Sequence, residues 1–218
     1  MTQTRCWAMT LLIFSLMLSG CDNRSGNQGV PPAPATAPPP GMSKYPYLAS
    51  DGGPHILLPA AVANSWSGAE SVTAALSSKS DYGRACAATT NAQMATIPVG
   101  SSSVMVFQDP PMTAWGTSSD GLVEIYYLKS WTSTNLDALV SKATASLPTA
   151  SLTDSGKTIT FAEPDAFLLF AGDMPSSTAY GVQRVTIAAG KYKILVGTYT
   201  AAGESVTVYR LQLAGTRE

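Results

Sequence analysis

The chain has 218 residues, with 13 Lys or Arg against 14 Asp or Glu and a formal net charge of −1 at pH 7. Only 12% of its residues are charged and no basic block is present, so it lacks the electrostatic footprint of a nucleic-acid binder. One histidine and three cysteines are too few for a metal centre built on several soft ligands, and neither a metal nor a cofactor is expected.

In chain order, Arg5 precedes a mostly apolar run over residues 7–18. At about 12 residues, that run is shorter than the ~20 a membrane-spanning helix needs. A positive residue, a short apolar core and small residues before a cut describe an export leader, assigned to 1–20. Leu18-Ser19-Gly20-Cys21 resembles the lipobox of bacterial lipoproteins, in which the cysteine is acylated and the chain is cut before it. Cys21 is therefore the expected lipid attachment site, and the membrane is an expected partner through that anchor. Each buried CH2 contributes ~0.8 kcal/mol, so two or three acyl chains hold a domain stably. Asp22 follows, which in enteric lipoproteins favours the periplasmic face of the inner membrane over the outer membrane.

Residues 21–50 read as a tether. "VPPAPATAPPPG" carries six prolines, and 31–41 spans about 34 Å as polyproline II at ~3.1 Å per residue. A single domain is expected over 51–218. Within it, "HILLPA" at 55–60 reads as a buried strand, and "AVANSWSG" as one or two helical turns ended by Gly68. Residues 80–90 read as a helix with Cys86 on an apolar face. With Cys6 leaving in the leader and Cys21 taking lipid, no intrachain disulfide is expected, and Cys86 is read as a small hydrophobe.

"MATIPV" at 94–99 and "SVMVFQ" at 103–108 predict a hairpin around Gly100, and "LVEIYYL" at 122–128 a further strand. In "STNLDALVSKATASL", Leu136, Leu139, Val140, Ala143 and Leu147 share one helical face, with Thr134 and Asp137 as a capping pair. Five strands follow, in "KTITFA", "AFLLFA", "QRVTIAA", "KYKILVGTY" and "SVTVYRLQL", with Gly190 as a hairpin turn between the third and fourth. This order predicts an α+β fold, a mainly antiparallel sheet with two or three helices packed on it. "VMVFQDPPMTAW" at 104–115 echoes "FLLFAGDMPSSTAY" at 167–180. A duplicated helix-plus-three-strand unit explains the echo as well as shared turn chemistry does.

No catalytic constellation is visible. His-Glu-x-x-His, Gly-x-Ser-x-Gly, a phosphate-binding glycine loop and Ser-x-x-Lys are all missing. A His55–Cys86 nucleophile and base lacks an orienting third group. Asp109 and Asp173 occupy matching places in the echo and form a conceivable acid–base pair, but their Asp-Pro-Pro and Asp-Met-Pro settings suit turn capping better. Among Trp66, Trp115 and Trp131, at least one is expected in the core. The expected protein is not an enzyme.

Several stretches, in order, resemble the immunity protein 21 family of bacterial polymorphic toxin systems. They are "DGGPHILLPAAVANSWSG" at 51–68, "DYGRACA" at 81–87, "IPVGSSSVMVFQDPPMTAW" at 97–115, "DGLVEIYYL" at 120–128, and the closing "IAAGKYKILVGTY" and "SVTVYRLQL". The resemblance implies a small α+β protein that binds and neutralises a cognate protein toxin without catalysis. Positions matching the motifs include Gly53, Pro54, Trp66, Asp81, Tyr82, Asp109, Pro111, Trp115, Tyr192 and Arg210. Typical members are expected to lack an export signal, so the lipobox sets this chain apart. An envelope lipoprotein with a structural or secretion-assembly role is the competing reading. Charge complementarity with a basic toxin makes Asp109, Asp120 and Glu124, beside Trp115 and Trp131, the expected toxin-binding residues.

Overall fold

The computed structural model describes residues 43–49, 52–69, 79–129, 135–176 and 181–215. The expected leader over 1–20, Cys21 and the proline-rich segment lie outside these residues, as does Trp131. Eleven strands form two antiparallel sheets. The elements run β1 (Tyr47–Ala49), β2 (His55–Pro59), a 3-10 segment (Ala60–Ser65), α1 (Asp81–Thr89), β3 (Met94–Val99), β4 (Ser102–Phe107), β5 (Met112–Thr117) and β6 (Val123–Leu128). They continue through α2 (Leu136–Ser146), a second 3-10 segment (Thr149–Ser151), β7 (Thr153–Phe161), β8 (Ala166–Phe170), β9 (Val182–Val185), β10 (Gly190–Ala201) and β11 (Glu204–Leu213). The six-stranded sheet has the order β1-β5-β6-β11-β10-β7, and the five-stranded sheet β3-β4-β2-β8-β9.

The α+β class and the antiparallel pairing match the sequence reading, but the strands divide between two sheets stacked face to face. The central core joins Leu57, Met105, Phe107 and Leu168 of one sheet to Ile125, Ile159, Ile194, Tyr209 and Leu211 of the other. Each outer face carries its own apolar layer. Leu139, Val140 and Ala143 of α2, with Leu136 and Leu147, cover the six-stranded sheet along the predicted face. Val62, Trp66 and Ala85 cover Ile56, Leu58, Val104 and Val106 of the five-stranded sheet. The result is four layers, helix–sheet–sheet–helix.

This layering explains the echo. β4 and β8 are the two neighbours of β2, and Phe107 and Phe170 both register with His55. Beyond that point the copies diverge, because β5 joins the six-stranded sheet and β9 the five-stranded one. The echo is therefore one of strand-to-turn junctions. Gly190 is likewise no hairpin turn, because β9 and β10 lie in different sheets. The tight hairpin joins β10 to β11 through Ala202 and Gly203, both at positive φ, as a turn matched to strand twist requires.

The folded region also begins before residue 51. Tyr45 and Tyr47 are buried, β1 pairs with β5, and Tyr45 packs edge-on to Tyr126 at 5.3 Å. Asp137 holds this segment down, accepting from Ser43 Oγ at 2.7 Å, the Lys44 N–H at 2.6 Å and Tyr47 Oη at 3.0 Å. Asp137 is thus not half of the expected capping pair, of which Thr134 lies outside the described residues. Asn135 caps α2 instead, accepting from the Ala138 N–H at 3.0 Å. Burial raises the Asp137 carboxyl, but those hydrogen bonds outweigh it and hold the group below its ordinary value.

Trp66 closes the corner after the first 3-10 segment. It is 3% exposed, and its indole N–H reaches the carbonyls of Ala171 at 3.2 Å and Asp173 at 3.1 Å. Ser67 beside it binds Asp81 of α1 through both N–H and Oγ. Trp66→Ala is expected to cost about 3–5 kcal/mol of unfolding free energy, as for other buried tryptophans. Denaturant unfolding checks this, and a curve unchanged from wild type would contradict the corner's role.

Candidate functional site

Three places gather the chemistry-bearing side chains. The first lies under the C-terminal end of α2. Glu124 of β6 and Arg210 of β11 are register partners on the outer face of the six-stranded sheet, 0% and 2% exposed. Glu124 Oε1 accepts from Arg210 Nε at 2.8 Å and from Nη2. Glu124 Oε2 accepts from Tyr126 Oη at 2.7 Å and Thr144 Oγ1 at 3.2 Å. Arg210 Nη2 also donates to the Leu147 carbonyl at 2.9 Å, satisfying a backbone group at the end of α2. Its Nη1 donates to Thr149 Oγ1 at 2.6 Å, and Thr149 in turn donates to Asp120 Oδ2 at 2.6 Å. Burial first, and then the Glu124 carboxylate, push the Tyr126 phenol far above its ordinary value, against the lowering hydrogen bond from Thr144. Tyr126 therefore stays a donor. Both oxygens of Glu124 are occupied by donors, leaving no accessible acid or base.

The expectation that Glu124 belongs to an exposed acidic surface is thus corrected. Strand alternation assigns one face of "LVEIYYL" to solvent, but both faces of β6 are covered and all six residues are buried. The available signal was a pair of opposite charges, Glu124 between Val123 and Ile125 and Arg210 between Tyr209 and Leu211, each flanked by apolar or aromatic residues in its strand.

The other expected contact residues do not converge. Asp120 is exposed in the β5–β6 turn, accepting from Ser118 Oγ and Thr149 Oγ1. Those two bonds, Ser118's first, hold its carboxyl below the ordinary value, so it is ionised at neutral pH. Asp109 sits before β5, at the opposite end of a six-residue strand that spans roughly 20 Å. It adopts a φ of +23° and accepts from the Gly53 N–H. Trp115 is half-buried against the central core, its indole N–H without a hydrogen-bond partner among the described residues.

The second place is that Gly53–Asp109 end. His55 is 0% exposed between the sheets, its Nδ1 2.8 Å from Thr113 Oγ1 of β5. Phe170 meets the imidazole edge-on at 6.4 Å. Burial lowers the imidazole pKa to about 3, so the ring is neutral at physiological pH. Gly53 has φ +122°, and a Cβ there would meet Tyr82 Oη at 2.6 Å and the Phe170 ring at 2.8 Å. The "DGGPH" and "DYGRACA" motifs thus meet as scaffold.

The third is Cys86 on α1, which is half-buried. Cys86 is the only cysteine among the described residues. A His55–Cys86 nucleophile pair is not formed. Among the described residues no cluster of three His, Cys, Asp or Glu side chains is placed to hold a metal ion.

Comparison with protein families gives one finding: the family model described as immunity protein 21 matches residues 46–204. The match covers most of the chain and stops at the start of β11. Comparison with curated proteins and with solved structures gives no match.

Glu124→Gln would leave the Arg210 charge buried without its counter-charge. It is expected to destabilise the domain by about 3–5 kcal/mol in denaturant unfolding. A loss below about 1 kcal/mol would show that the pair carries little of the fold.

Proposed function

The chain belongs to the immunity protein 21 family, and from that premise we propose that it neutralises a cognate protein toxin by stoichiometric occlusion while anchored to the cell envelope. The observation that supports occlusion is the deployment of its polar side chains. Glu124, Arg210, Tyr126 and His55 are buried within the fold, and Asp109, Asp137 and Asp81 hold backbone N–H groups. Among the described residues these groups serve the fold and do not assemble into an exposed catalytic cluster. A tight protein complex needs none, only a surface of roughly 1,200–2,000 Å2 with a few dominant residues.

Within that reading Asp120 is the one of the three expected contact acids that is exposed, and it is ionised, so it can meet a basic partner. The anchor rests on the lipobox at Leu18-Ser19-Gly20-Cys21, with Asp22 favouring the periplasmic face of the inner membrane. The toxin would then act in the periplasm or at the membrane.

The test titrates the cognate toxin, exported to the periplasm, against the full-length protein. Protection is expected to end near equimolar toxin and to weaken with Asp120→Lys. Cys21→Ser is expected to abolish acylation and move the protein out of the membrane fraction. Protection persisting at a large molar excess of toxin would overturn occlusion, and mature protein with an unmodified Cys21 would overturn the anchor.

A further inference from the structure

His55 is the single histidine of the chain, and it stands where the two sheets meet. Its side chain leaves β2 on the same face as Leu57, into the central core. Thr113 reaches it from β5 of the opposite sheet, and this is the ring's one hydrogen bond among the described residues. Nε2 is buried and has no partner among the described residues. Phe107 and Phe170 flank it from the two neighbouring strands.

The titratable groups at this end face elsewhere. The Asp109 carboxylate, from the β4–β5 turn, holds the Gly53 N–H. Tyr127 of β6 donates to the Gln108 carbonyl at 2.8 Å. Tyr209 of β11 packs on Phe107 at 5.3 Å, and Tyr82 of α1 on Phe170 at 5.6 Å. The carbonyl of Asp173, beyond β8, accepts from Trp66. None of these groups forms a hydrogen bond with the imidazole. A second ring proton would turn both nitrogens into donors, and Nε2 would carry its N–H to a place where no described residue accepts it.

We propose that His55 is an acid-operated release for the domain: protonation of its ring is incompatible with the closed core and opens the two sheets at the Gly53–Asp109 end. This goes beyond toxin binding and concerns the free domain. It would withdraw the binding surface as the surroundings acidify, a condition met outside the cytoplasm if the envelope location holds.

The sign follows from burial. The folded-state imidazole lies near 3 against 6.5 in the unfolded chain, so its stabilising effect is complete above about pH 6.5 and is withdrawn as pH falls toward 3. Between pH 7 and 4.5 the unfolding equilibrium constant should rise roughly 100-fold from this one group.

The experiment uses the full chain without toxin, so its outcome is independent of the proposed function. The carbon-bound imidazole protons give a unique NMR signal, because there is no second histidine. In the folded form that signal should stay at its neutral position from pH 7.5 to about 5. Below that, resonances of an opened, protonated form should appear. Urea unfolding of wild type and of His55→Gln at pH 7 and 4.5 should show the roughly 100-fold acid response in wild type alone, after the carboxylate contribution common to both is subtracted. A folded-state signal that titrates near 6.5, or an acid response equal in both proteins, would overturn the proposal. If His55→Gln does not fold, the wild-type NMR titration decides alone.

Discussion

The contact between Glu124 and Arg210 fixes more of this architecture than any other polar interaction. It sets the register of β6 on β11 in the middle of the six-stranded sheet, and through Leu147 and Thr149 it also fixes where α2 ends and the following turn begins. An isolated charge at either position would be severely penalised, since desolvating an ion costs several kcal/mol. The pair is tolerable because both carboxylate oxygens and three guanidinium nitrogens find partners. Such a pair contributes little net stability compared with an apolar isostere. Its effect is discrimination, because a strand shifted by one residue would bury two unpaired charges.

The rest of the fold follows from having apolar layers on both outer faces. A sheet covered on one side only leaves half its residues for solvent. Here the central core and the two helical layers claim both faces of β2, β4 and β6. Polar atoms in those strands must therefore find partners in the protein. Among the described residues Glu124 does so completely, whereas His55 does so with one nitrogen out of two. That difference separates a locked joint from one that acid can open.

The elements legible in the sequence were those whose side chains declare one state. β3, β4, β6, β11 and the apolar face of α2 emerged close to their observed bounds, because β-branched runs and a 3.6-residue period are local signals. Two strands were not legible. β1 is three residues long after a proline-rich stretch, and β5 carries Gly116 and Thr residues just beyond Pro110 and Pro111. Both are defined by the partner they pair with rather than by propensity. The contact residues failed for a related reason. Reading acids as exposed presumes a solvent face, and Glu124 sits under a helix that only the tertiary fold puts there. Asp137 looked like a cap and instead fastens residues 43–47, a contact spanning some ninety positions that no local pattern encodes.

Family motif residues such as Gly53, Trp66, Asp81, Asp109 and Arg210 all hold the scaffold, so under the proposed function recognition falls to exposed side chains around it. The most direct check replaces the central pair together, in Glu124→Leu/Arg210→Met, and measures the affinity for the cognate toxin of the proposed function. The account predicts a domain that folds, with stability equal to or above wild type, and binds the toxin unchanged. A folded double variant that no longer binds would contradict it, by showing that the buried pair serves recognition rather than architecture.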